Sequence, residues 1–295
     1  MTAVLTQIRR RPRGGVPGVR VGLGLGLCLG LVGLAGCNAL LGIDDQHLRA
    51  DGGAPDDSAS AADGATDGTG DAAGGGSIYR SAVLVDGPVM YVRFGESSGG
   101  IAHDEVGHTD GTYPASGADL RVPGALTNDP DTAIAFSGVS NVQFAAGIEF
   151  LDVAPFSVEL WIKHDVTTPN GFVLDHESYP RQGWSLFVDD KGVYFERFGD
   201  VNASTAGQNA LADGAWHHIV GTWDGSVQRL YVDAKLADAR SNAVSIPKPV
   251  GTWTVGGQNC VCTNNFFTGA LDELALYDRA LAPDRIDAHF HAAGR

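Results

Sequence analysis

The chain has 295 residues, with 20 Lys and Arg against 35 Asp and Glu, giving a formal net charge of −15. An acidic excess of this size repels polyanions and supplies no basic patch, so DNA, RNA and heparin-like partners are excluded unless a cation bridges the charges.

Residues 1–36 hold Arg9, Arg10, Arg11, Arg13 and Arg20 and no acidic side chain, and a Gly/Leu run occupies residues 21–34. A basic segment, a short apolar segment and small residues before a cut describe a secretory leader. The apolar run of about fourteen residues is shorter than the roughly twenty that span a bilayer, so it is a poor transmembrane helix. Leu34-Ala35-Gly36-Cys37 resembles the bacterial lipoprotein box. That resemblance implies loss of Cys28 with the leader, acylation of Cys37 and firm anchoring through several acyl chains. It places the protein in the cell envelope, attached to the membrane through the lipid alone. Asn38 after the cysteine is similar to the outer-membrane-sorted class, with the periplasmic or surface face left open.

Residues 37–77 form the expected tether. Eight Asp and one Arg are scattered among Gly, Ala and Ser, and from Asp44 onward there is almost no large apolar side chain. Such a segment cannot bury enough surface to offset its ordering entropy, and a flexible chain of this length reaches about 35 Å. Its Asp/Gly repeats lack the ligand order and closing Glu of a calcium loop.

From residue 78 to 295 the length suits one all-β domain. Period-two alternation places Phe156, Val158, Leu160 and Ile162 on one face of a strand, Trp184, Leu186 and Val188 on another, and Leu230 and Val232 on a third. Asp189-Asp190-Lys191-Gly192, Asp213-Gly214 and Asp224-Gly225 are read as turns. A helix is expected only at the C-terminus, with Pro283 in its first turn and Ile286 and Phe290 four apart. These elements suit two antiparallel sheets packed face to face rather than a parallel α/β fold.

Motifs add to this reading. Pro88 to Glu96, Ala102-His103-Asp104 with Gly111-Thr112-Tyr113, and Ala133 to Gly138 come first. FSVELWIK (156–163), WHHIVGTWDG (216–225), LYVD, TVGG and FFTGALDELALYDRAL (266–281) follow. In this order they resemble the laminin-G-like, concanavalin A-like jelly-roll family. The resemblance implies a two-sheet antiparallel jelly-roll sandwich with a short C-terminal helix, preceded by a disordered linker. Two departures stand out. Ser137 replaces a common Asp, and Ala234 replaces a Gly, so that hairpin is expected to take a longer turn through Lys235.

Some glycoside hydrolases share this sandwich and alternate carboxylates along one strand. Here Asp272 and Glu273 are adjacent and are expected to face opposite sides of a strand. No nucleophile elbow or His-Glu-x-x-His motif occurs, so the expectation is a binding module and not an enzyme. His217 and His218 read as structural, and His103, His164 and His176 as loop residues. Asp272 is the candidate metal ligand, because a buried carboxylate needs a cation or several donors and related modules often hold a structural calcium. An ion pair with Arg93 or Arg279, or hydrogen bonds from loop N–H groups, would serve as well.

Cys260 and Cys262 form a candidate disulfide, with free thiols as the alternative. Their loop, residues 258–266, is the candidate ligand-binding surface: Asn259, Asn264, Asn265 and Phe266 offer amides beside an aromatic face, and Tyr179 and Trp184 extend it. Phe266 and Trp184 could equally be buried. The expected function is recognition of carbohydrate through rim loops. The alternatives are a protein-binding adhesion or structural envelope lipoprotein and, third, a cryptic glycoside hydrolase.

Overall fold

The computed structural model describes residues 77–107, 109–145, 147–148, 154–165, 171–178, 182–197, 203–204, 211–241, 251–258 and 265–295. Cys37, Tyr179, Asn259, Cys260, Cys262 and Asn264, with the leader and tether, lie outside the described residues.

Two antiparallel sheets form the sandwich. The first runs β14 (Lys235–Ser241), β13 (Val227–Val232), β12 (Asp213–Trp223), β7 (Phe156–Asp165), β16 (Thr268–Tyr277), β5 (Thr132–Ser137) and β4 (Ala118–Pro123). A further strand, β1 (Met90–Val92), also pairs with β16. The second sheet runs β11 (Ala203–Ser204), β10 (Gly192–Arg197), β9 (Gln182–Asp189), β8 (Gly171–Ser178), β15 (Trp253–Val255), β6 (Val142–Phe144), β3 (Gly111–Thr112) and β2 (Ile101–Ala102). The core lies between them and follows the predicted alternation. Phe156, Val158, Leu160 and Ile162 meet Trp184, Leu186 and Val188, and Phe144 stacks on Trp253 at 4.2 Å. Each fully buried side chain of this kind contributes about 1.5–3 kcal/mol.

A third layer covers part of the outer face of the first sheet. Helix α2 (Pro283–Ala292) matches the sequence expectation, whereas α1 (Ile78–Val85) was not expected. Two local features explain it. The Ser77 hydroxyl accepts a hydrogen bond from the Arg80 N–H, and Tyr79 and Val83, four apart, bury one helical face. Tyr79, Val83, Trp161, Tyr277 and Ile286 form this second apolar cluster.

Beneath the helices sits a buried carboxylate, Glu159. It accepts hydrogen bonds from Tyr79 (2.9 Å), Tyr277 (2.8 Å), His218 (2.8 Å) and His289 (3.0 Å). Burial alone would raise its pKa. The His289 charge and the hydrogen bonds from His218 and His289 outweigh burial and hold it well below the usual carboxylate range.

Several local expectations are corrected. Asp213-Gly214 is not a turn but a β-bulge at the start of β12, with Gly214 at φ 77°. The β13–β14 connection is a two-residue turn, not a longer one: Asp233 (φ 47°) and Ala234 (φ 61°) both take the left-handed conformation of a type I′ hairpin. Asp233 anchors it by accepting from the His218 N–H (2.9 Å) and pairing with His217 (2.8 Å). His164 and His176 are buried strand residues on β7 and β8 rather than loop residues, while His103 is exposed.

Candidate functional site

On each strand of the second sheet, the residues between core positions face away from the sandwich. Strand pairing lines them up into rows. One row is aromatic: Tyr194 of β10 is the register partner of Phe187 on β9, which is the partner of Phe172 on β8. The Phe172 and Phe187 rings lie 5.0 Å apart at 62°, and Phe187 and Tyr194 lie 6.1 Å apart at 50°. Phe172 also forms a parallel bridge with Phe266, whose ring lies over Gly257. Any side chain at Gly257 would collide with that ring, so the glycine lets Phe266 approach.

The adjacent row is polar. Glu196, Ser185, Asp175, Thr254 and Gln143 are successive register partners across β10, β9, β8, β15 and β6. Ser185, Asp175 and Thr254 are buried, Glu196 is half-buried and Gln143 is exposed. The Ser185 hydroxyl donates to Glu196 at 3.3 Å. Phe187, Tyr194, Glu196 and Gln143 reach the surface, so the two rings can stack on a sugar and the carboxylate and amide can hydrogen-bond its hydroxyls, while Ser185, Asp175 and Thr254 lie beneath the surface. Burial first, and then the nearby Asp189 carboxylate, raises the Tyr194 pKa, so its hydroxyl stays a neutral donor.

Of the residues named from the sequence, Phe266 joins this aromatic strip. Asn265 stands beside it and gives its backbone carbonyl to the Phe172 N–H at 3.1 Å. Trp184 does not join: it is 0 % exposed and packs against Phe156 at 5.0 Å, because its phase along β9 points into the core. Phe172, Phe187 and Tyr194 were missed. The signal for Phe187 and Tyr194 is an aromatic at the outward position of an otherwise alternating strand.

Asp272 and Glu273 form a second polar site on the first sheet. A bulge in β16 sets Glu273 at φ 54° and shifts the pairing with β7, so the two carboxylates do not face opposite sides as expected. At the same point the neighbour of β16 changes from β5 to β1. The gap between those strands admits Arg93, which pairs with Glu273 (2.8 Å), Asp131 (2.9 Å) and Asp129 (3.3 Å); Tyr91 donates to Glu273. Burial pushes Glu273 up to about 7, against the pull of Arg93.

Asp272 accepts the Ala125 N–H at 2.8 Å through one oxygen, while Oδ1 is buried without a hydrogen-bond partner. Burial, then the Glu273 charge, raises its pKa well above the usual range. Arg93 therefore neutralises Glu273, and Asp272 has a loop N–H instead of an ion pair. Among the described residues no three His, Cys, Asp or Glu side chains gather as a metal cage. An ion here would rely on Asp272 Oδ1 together with backbone carbonyls.

A family model described as the concanavalin A-like lectin/glucanases superfamily matches residues 136–287. The sushi, von Willebrand factor type A, EGF and pentraxin domain-containing protein 1 of Rattus norvegicus is 28% identical over 114 residues, 35% of this chain. The Mus musculus protein is 29% identical over the same length, and the match spans only 3% of either relative. Among solved structures, the sialidase of Trypanosoma rangeli in complex with 2,3-difluorosialic acid has a TM-score of 0.54 at 15% identity, over 69% of this chain and 32% of that one. A structure of botulinum neurotoxin type C, described as depending on two ganglioside molecules for cell entry, has a TM-score of 0.52 at 11% identity, over 72% and 52% of the two chains. These structural likenesses show a shared fold.

Proposed function

Because this chain belongs to the concanavalin A-like lectin/glucanases superfamily, we propose that it is a carbohydrate-binding module that recognises glycan on the outer face of its second sheet, at the exposed edge where Phe187 and Tyr194 reach the surface. The observation that carries the reading is the aromatic row Phe172–Phe187–Tyr194, extended by Phe266 and flanked by the polar row from Glu196 to Gln143. Structures of similar fold described with sialic acid analogues and gangliosides support glycan recognition as the class of activity. The proposal includes the envelope location: acylated Cys37 anchors the module and residues 38–77 hold it away from the membrane, with a glycan or protein of the envelope as partner. A structural calcium at Asp272 belongs to the same reading. It would supply the countercharge that buried Oδ1 lacks.

Titration of neutral oligosaccharides into the full chain, followed by heat, tests the site. Loss of about 0.5–1.5 kcal/mol of binding free energy in Phe187→Ala fits one lost stacking partner. Unchanged binding removes this face from the proposal.

Hydrolysis is the second reading, and one observation favours it. Asp175 and Glu196 stand on the same row either side of Ser185, two strand spacings apart, a spacing that suits a pair of glycosidase carboxylates; Asp175 is buried, so hydrolysis requires that binding uncover it. Turnover of a glycan that disappears in Glu196→Gln would establish it.

A further inference from the structure

Helices α1 and α2 cover only part of the outer face of the first sheet. The row His218, Trp161, Asp272 lies under them: Phe290 stacks on Trp161 at 6.0 Å and the Arg295 guanidinium sits over the same ring. The neighbouring row is Trp216, Lys163, Ala270, Ala135, successive register partners across β12, β7, β16 and β5. It forms an open groove of about 320 Å³ with Val122 and Pro123 on the far wall.

The groove is built by residue size. Ala270 and Ala135 give a low apolar floor, where the covered row has a tryptophan. Gly269, at φ 143°, lets β16 close on β7: a Cβ there would lie 2.4 Å from the Lys163 carbonyl oxygen. Trp216 is half-buried and no described aromatic ring stacks on it. Lys163 is exposed and makes no ion pair with a described residue. At the opposite end of the row, Asp119 of β4, the register partner of Ala135, is exposed.

We propose that this groove is a second binding site, separate from the face of the other sheet, and that it takes a sugar acid: a pyranose bearing a carboxylate. Three features choose this occupant. The Trp216 indole and the alanine floor offer apolar surface to a ring. Lys163 makes no ion pair with a described residue, so in a chain of net charge −15 it gives the groove a local attraction for a small anion. Asp119 repels the carboxylate at the far end, which fixes the ligand with its acid toward Lys163. The volume lies at the small end of the range for ligand sites, about 300–1,000 Å³, and suits one or two sugar residues rather than a polymer.

The test is an NMR titration of the full chain in detergent with methyl glucuronide, methyl glucoside and N-acetylneuraminic acid at low salt. Methyl glucuronide, N-acetylneuraminic acid or both are expected to bind and to shift the Trp216 indole resonance, with methyl glucoside at least about tenfold weaker. Which acid binds tells a uronic from a sialic source. Lys163→Gln, an exposed change that leaves the fold intact, should weaken the acid about tenfold or more, and Trp216→Ala should do likewise. Phe187→Ala, on the other sheet, should leave this binding unchanged while reducing neutral-glycan binding. Equal affinity for methyl glucoside and methyl glucuronide, no binding of either acid, or loss of acid binding in Phe187→Ala would overturn the proposal.

Discussion

The Nδ1 of His289 lies 3.0 Å from both carboxylate oxygens of Glu159, while its Nε2 lies 2.8 Å from Asp86. Neither carboxylate can donate once ionised, so both ring nitrogens must carry hydrogen, and His289 is an imidazolium. Its pKa is raised: burial opposes the charge, but Glu159 and then Asp86 outweigh it. One cation thus ties α2, through Glu159 and Asp86, to the central strand β7 and to the end of α1.

The stability of the domain should peak near pH 5. Glu159 titrates below its ordinary value, so its contribution is present above about pH 4.5 and fades as the solution is acidified. His289 titrates above its ordinary value, so its contribution is complete below about pH 6.5 and is lost as pH rises through its folded pKa. Glu273, at about 7 when folded, binds its proton more tightly in the folded state, so its ionisation lowers stability between pH 4.5 and 7. Thermal melts from pH 3 to 9 check this, and a maximum at pH 8 would contradict it.

Ala234→Gly should stabilise the domain by roughly 1 kcal/mol. Alanine is held at φ 61° in the β13–β14 turn, a conformation glycine takes at no steric cost. Urea denaturation measures the difference, and destabilisation would argue against the two-residue turn.

Gly269→Ala should destabilise by about 1–3 kcal/mol or more. Its Cβ would lie 2.4 Å from the Lys163 carbonyl oxygen and 2.7 Å from the Phe267 ring, both on paired or buried structure with little room to yield. The same denaturation assay reads it.

Calcium should raise the melting temperature over the value in EDTA at pH 7.5, and the increment should vanish in Asp272→Asn. Binding to the folded state alone stabilises by about 2.7 kcal/mol at a hundredfold excess over Kd. An unchanged melt would mean that a proton satisfies the buried Oδ1.

Much of the sandwich was legible because period-two alternation records which side of a strand is buried. Phe156 to Ile162 and Trp184 to Val188 follow it residue by residue. What was not legible depends on breaks in that period or on tertiary contacts. The bulge at Glu273 rotates Asp272 relative to Leu274, so parity counted along the strand gives the wrong face. Helix α1 draws its support from Tyr79 and Glu159, eighty residues apart, and its own composition does not announce it. The sequence pointed to the loop at residues 258–266 because loops usually carry specificity; the aromatic row of the proposed glycan face adds rings on β8, β9 and β10 that assemble only through strand register. Trp184 was read both as a face-mate of Leu186 and Val188 and as an extension of the loop surface; its phase along β9 assigns it to the core.

The most direct measurement is a glycan array probed with the full chain and with the Phe187→Ala/Tyr194→Ala variant, with circular dichroism establishing that both are folded. Selective binding to a set of glycans, lost in the double variant, is the predicted result. A blank array alongside a copurifying protein partner, or binding that persists unchanged in the double variant, would contradict recognition of carbohydrate through the aromatic face of the second sheet.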